Sequence, residues 1–124
     1  MFSLAQEEIY SRYKTPQNAG HLTDPTFKVD GLNAVCGDEV HLEGRVEGET
    51  LTDLKHTCRA CAICTAAADF LPELLIHKTV QEINAFSSTF LIEHLGIDLS
   101  PIRLKCALLP LETLRSGLLE QAQV

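Results

Sequence analysis

The apolar pattern of this chain changes period at Cys58. Before it, Phe27 to Leu32, Glu39 to Val46 and Thr50 to Thr57 are short strand-like stretches, with Gly48 and its neighbours giving a tight turn between the last two. After it, the alanine-rich run Ala62 to Phe70 and the stripe Ile83, Phe86, Phe90, Leu91 follow helical spacing. Strands first and helices afterwards predict an α+β fold, a three-stranded antiparallel meander packed on one face by helices, with residues 1–124 forming a single domain.

Local signals fix the ends of several elements. Ser3-Leu4-Ala5-Gln6 is a capping-box pattern that predicts a helix to about Lys14, with Leu4, Ile9 and Tyr13 near one face, and Thr15 to Gly20 stops it. Thr79-Val80-Gln81-Glu82 is a second capping box, predicting one helix that Gly96 closes. Pro72 either kinks the alanine-rich helix or starts a new turn. Ser100-Pro101 begins the last segment, and Pro110 suits the first turn of a final helix to about Gln121, which leaves Cys106 in the turn or strand end before it.

With 45% hydrophobic residues the chain has the means to bury a core, and no stretch reaches the roughly 18 to 20 apolar residues of a membrane span. Met1 to Tyr10 lacks a basic, apolar signal segment, so a cytoplasmic protein with no membrane partner is expected. A formal charge of −7 disfavours a nucleic-acid partner, because phosphate binding needs a positive field.

Five cysteines, Cys36, Cys58, Cys61, Cys64 and Cys106, make an odd and clustered set. That argues against a secreted disulfide framework and for thiols kept available as ligands or nucleophiles. Cys36-Gly37-Asp38 offers a thiolate and a carboxylate around a glycine that takes unusual backbone angles; the plainer alternative is a buried cysteine beside a turn-capping aspartate. Cys58, Cys61 and Cys64 read C-x2-C-x2-C where strand gives way to helix. The run lacks the further cysteine and proline of a ferredoxin motif, and no βαβ pattern makes it thioredoxin-like. Lys105 precedes Cys106 and would favour its thiolate. The five histidines show no metal pair in the sequence and read mostly as surface or packing residues; only His21 and His56 stand near the cysteine elements.

Ile9 to Gly20, a Tyr-Lys-x-Pro-x-Asn-x-Gly-like stretch, then Cys36-Gly37-Asp38, Cys61-Ala62-Ile63 and Arg103-Leu104-Lys105-Cys106-Ala107 together resemble the IscU/SufU/NifU-N family of iron–sulfur assembly proteins over about residues 5 to 120. The resemblance implies that Cys36, Asp38, Cys61 and Cys106 surround one site for zinc or a nascent [2Fe-2S] cluster, with Cys58 and Cys64 as substitutes. It also implies sulfur delivery from a cysteine desulfurase, and iron–sulfur acceptor proteins or a downstream scaffold as recipients; Cys106, expected on a flexible segment beside Lys105, is the thiol that would accept the persulfide. The spacing at Cys61 and Lys105 in place of histidine look more like SufU, a zinc-binding sulfur relay. The stretch from Cys64 to Cys106 is too short for the extra segment usual in SufU, and Leu99-Ser100-Pro101-Ile102-Arg103 keeps only part of the Leu-Pro-Pro-Val-Lys motif of IscU-type scaffolds. Two other functions compete: a zinc-stabilised, non-catalytic interaction module, and a redox switch of Cys58, Cys61 and Cys64.

Overall fold

The computed structural model describes residues 3–122. Helix α1 (Leu4–Lys14) opens on the expected capping box: the Ser3 hydroxyl accepts from the Gln6 amide, and the Gln6 side chain accepts from the Ser3 amide. Its buried face is Ile9 and Arg12, three residues apart; Leu4 and Tyr13 of the predicted face are exposed. Strands β1 (Phe27–Asn33), β2 (Asp38–Glu47) and β3 (Thr50–Arg59) form one antiparallel sheet in the order β1-β2-β3. Gly48 turns β2 into β3 at φ 64°.

Alternation puts Phe27 and Val29 of β1 and Asp38, Val40 and Leu42 of β2 on the inner face, with His41 and Glu43 on the other. Helices α2 (Ala62–Leu75) and α5 (Pro101–Ala122) cover the inner face. The α5 backbone comes close to β1: a Cβ on Gly31 would lie 1.9 Å from Thr113 Oγ1, and one on Gly117 would lie 2.7 Å from Val29. Leu42, Leu51, Leu54, Leu71, Leu111, Leu114 and Leu118 fill the space between. The architecture is the expected helix-on-sheet α+β fold in a single domain. No helix among the described residues is long and apolar enough to cross a membrane.

Of the two outcomes expected at Pro72, the new turn does not occur: α2 runs through it to Leu75, where residues 64–72 are buried all round, and that burial outweighs the one backbone bond the proline removes. Two expectations change, each through tertiary contact. The helix expected from Thr79 to Gly96 is two, α3 (Val80–Asn84) and α4 (Ser88–Leu95), because the Ser87 hydroxyl caps a new start by accepting from the Phe90 amide. Arg115 of α5 donates to the carbonyls of Ile83 and Phe86 and so satisfies backbone groups at the break. Gly96 does end α4, at φ 75°. Finally, α5 begins at Pro101 and runs through Pro110, which places Cys106 inside a helix and not in a turn before one. Pro110 has no N–H to give the Cys106 carbonyl, yet buried Ala107, Leu109, Leu111 and Leu114 hold the helix together on either side.

Candidate metal and sulfur site

The β1–β2 turn carries Cys36 at its end, followed by Gly37 at φ 71°, a left-handed conformation that a side chain would strain. That turn sends Asp38, the first residue of β2, into the interior, where it is 1% exposed. Cys106 arrives from α5, fully buried, with Asn33 Nδ2 3.8 Å from its Sγ. The ligand atoms of Cys36, Asp38 and Cys106 lie within 4.8 Å of one another.

Cys61 stands beside this group without joining it. It is the N-cap of α2, its Sγ 3.4 Å from the Cys64 amide that donates to it, while its own amide donates to Asp38 Oδ1 at 3.0 Å. The other carboxylate oxygen, Asp38 Oδ2, is buried with no hydrogen-bond partner. An unpaired buried carboxylate oxygen is costly, on the order of 1–3 kcal/mol or more, so its retention beside two thiols fits a site meant for a cation. A Cys/Asp donor set of this kind suits zinc or an iron–sulfur cluster.

Burial, then contact with Asp38 and with Cys36, pushes the Cys106 thiol well above its ordinary value. Two cations flank Cys106 on the exposed side of α5, Arg103 and Lys105. Arg103 is one helical turn before Cys106, and attraction to Cys61 first, then a hydrogen bond to Cys61, then the charges of Cys106 and Cys36, strengthens its hold on its proton. Lys105 is exposed on α5. Arg103 and Cys106 stand in an i, i+3 relation only because that segment is helical. The flexible segment expected around Cys106 is replaced by a packed helix.

The substitutes for Cys61 sit elsewhere. Cys64 is fully buried in the core between sheet and helices, and burial holds its thiol far above the usual range. Cys58 lies half-buried on β3 with its Sγ 3.5 Å from His56 Nδ1, and burial, followed by the charges of Asp69 and Asp38, pushes its thiol up to about 12. Neither belongs to the Cys36–Asp38–Cys106 group. Cys64→Ala should cost stability, about 1–2 kcal/mol for the lost contacts and the small cavity, and leave metal content unchanged; chemical denaturation with metal analysis checks both.

Behind the site a buried ionic cluster fixes α1 and the loop after it. Asp69 of α2, wholly buried, takes Arg12 Nη1 at 2.9 Å, His56 Nε2 at 2.9 Å, and the amides of Gln17 and Asn18 at 3.0 and 2.8 Å. Arg12 also reaches both oxygens of Glu73 and lies over the Phe70 ring. This gives the Tyr-Lys-x-Pro-x-Asn-x-Gly stretch its structural meaning: its amides bind a buried carboxylate, and its chain continues as a bridge between Ala19 and His56 beside β3.

The histidines also depart from expectation. His56 is buried in that cluster, and His21 and His41, 20 residues apart, meet at Glu43 on the outer face of the sheet.

The family model described as NifU-like N terminal domain matches residues 4–122. The zinc-dependent sulfurtransferase SufU of Bacillus subtilis is 28% identical, over 96% of this chain and 92% of that protein. The mitochondrial iron sulfur cluster assembly protein 1 of Debaryomyces hansenii is 29% identical over 92% of this chain, which spans 65% of that protein. Among solved structures, a candidate iron–sulfur cluster assembly scaffold protein for the SUF system from Fervidobacterium islandicum matches with a TM-score of 0.77 at 28% identity, covering 94% of this chain and 96% of its own.

Proposed function

Because the chain belongs to the NifU-like N-terminal domain family, we propose that residues 1–124 act as one iron–sulfur cluster assembly domain, which takes sulfur from a cysteine desulfurase at the Cys36–Asp38–Cys106 pocket. The observation that carries this reading is the convergence of two thiols on a buried carboxylate whose Oδ2 has no partner. Cys36, Asp38 and Cys106 would hold zinc or a growing cluster, with Cys61 as fourth donor once its Sγ leaves the Cys64 amide. A bound zinc ion would supply positive charge that keeps these sulfurs as thiolates.

The chain's own residues divide the work by position. Cys36, half-buried at the end of the turn, is open to an incoming persulfide where Cys106, sealed in α5, is not, and this moves the acceptor role from Cys106 to Cys36. The Cys36 thiolate attacks the outer sulfur of the desulfurase persulfide. That S–S bond breaks, the desulfurase cysteine leaves as thiolate, and a new S–S bond forms on Cys36 with no net gain or loss of electrons. Recipients are iron–sulfur acceptor proteins or a downstream scaffold, and the free thiols suit a reducing compartment such as the cytoplasm.

Between a cluster-holding scaffold and a zinc-dependent relay, the likeness to SufU along nearly the whole of both chains favours the relay. The test supplies a cysteine desulfurase and cysteine and maps the persulfide by mass spectrometry. Cys36→Ser is expected to abolish transfer, and Cys106→Ser to lose metal and slow transfer while the persulfide still maps to Cys36. Full transfer to Cys36→Ser with none to Cys106→Ser would return the acceptor role to Cys106.

A further inference from the structure

On the outer face of the sheet, away from the thiols, His21 Nδ1 and His41 Nε2 both point at one oxygen of Glu43, at 2.7 and 2.8 Å. Their ligand atoms all lie within 4.8 Å of one another. The Glu43 side chain is only 4% exposed, and its second oxygen accepts from the Leu22 amide, which fixes the carboxylate and brings in the loop that carries His21. Its cross-strand neighbours are Lys28 and Lys55, yet no ion pair joins Glu43 to either; the histidines occupy it instead. His41 Nδ1 contacts Asp30 Oδ1 at 2.7 Å, from the position directly opposite on β1. A carboxylate on Nδ1 is the usual way a ligand histidine is oriented so that its Nε2 lone pair faces a metal.

We propose that His21, His41 and Glu43 form a second metal site, taking a divalent transition ion such as zinc, with Asp30 as a positioning residue behind His41. Two imidazoles and one carboxylate are a known donor set for zinc and for other borderline divalent ions, and three protein ligands leave a position open to water or exchange. In its metal-free form the cluster holds protons where the ion would sit. His41 and Glu43, two apart on β2, share a face by strand alternation, and the loop from Gly20 to Leu22 brings the third donor across. The site is independent of the thiol pocket and of any role in sulfur transfer.

Calorimetric titration of the full chain with zinc, repeated with cobalt and read by absorbance, tests it. The parent is expected to bind a second equivalent beyond the thiolate site, without sulfur-to-cobalt charge-transfer bands. His21→Ala, which removes a side chain that is 67% exposed, should weaken that equivalent at least about tenfold, and Asp30→Asn by about tenfold. Both variants should keep the thiolate bands. A parent that binds nothing beyond the thiolate equivalent, or a second equivalent unchanged in His21→Ala, overturns the proposal.

Discussion

Asp69→Ala is expected to destabilise the protein by about 3–5 kcal/mol, because it takes one carboxylate from Arg12, which keeps Glu73, takes the buried carboxylate from His56, and leaves two loop amides unpaired. Against a total stability of about 5–15 kcal/mol this approaches unfolding. For a chain of this size Tm should fall by on the order of 10–20 °C. Asp69→Asn keeps the shape and one acceptor oxygen and should fall between the parent and the alanine variant. A loss under about 1 kcal/mol for Asp69→Ala would mean that packing, and not the ionic cluster, holds α1 to α2.

The same group sets a pH dependence. Burial pushes the Asp69 carboxyl up, but the His56 hydrogen bond and the amides of Gln17 and Asn18 outweigh it and hold the carboxyl below its ordinary value. A depressed carboxyl stabilises the fold above the unfolded-state value near pH 4, and that stability drains away as pH falls through the folded-state value. Acid unfolding should therefore be steep below about pH 4 in the parent and shallower in Asp69→Asn.

Asp38→Asn is expected to act in opposite directions on fold and site. The carboxylate is buried, with one oxygen on the Cys61 amide and the other unpaired, so a neutral amide that keeps the first contact should stabilise the metal-free protein by about 1–3 kcal/mol. Loss of the anionic donor should weaken zinc retention against a chelator by more than about tenfold. Denaturant melts of the metal-free form and chelator competition read the two effects separately. If the metal-free variant is less stable than the parent, the carboxylate belongs to the fold and the case for a cation site loses its main support. Proteins commonly sacrifice stability at sites of this kind.

What the sequence made legible was local. The capping boxes at Ser3 and Thr79, the turn at Gly48 and the left-handed Gly96 each depend on a few neighbouring residues, and each stands where the pattern puts it. Proline misled at Pro110, because the local loss of one backbone bond was weighed without the burial around it. The break at Ser87 draws on Arg115, 28 residues away, which no local window contains.

The candidate site divides in the same way. Cys36 and Asp38 are joined by one glycine, and their convergence is short-range. Cys106 reaches them only through the phase of α5. Cys58 and Cys64 share the spacing of Cys61 but not its position, since one faces His56 and the other the core. The Arg12–Asp69–His56 cluster and the His21–His41–Glu43 group join residues from separate elements, so spacing alone carried no signature of either.

The most direct test of the central claim is elemental: zinc, iron and acid-labile sulfide per chain after anaerobic purification and chelator washing, for the parent and for Cys106→Ala side by side. The account predicts about one tightly held zinc per parent chain, or iron and sulfide in equal amounts, and neither in Cys106→Ala. Equal metal content in the two proteins would contradict it.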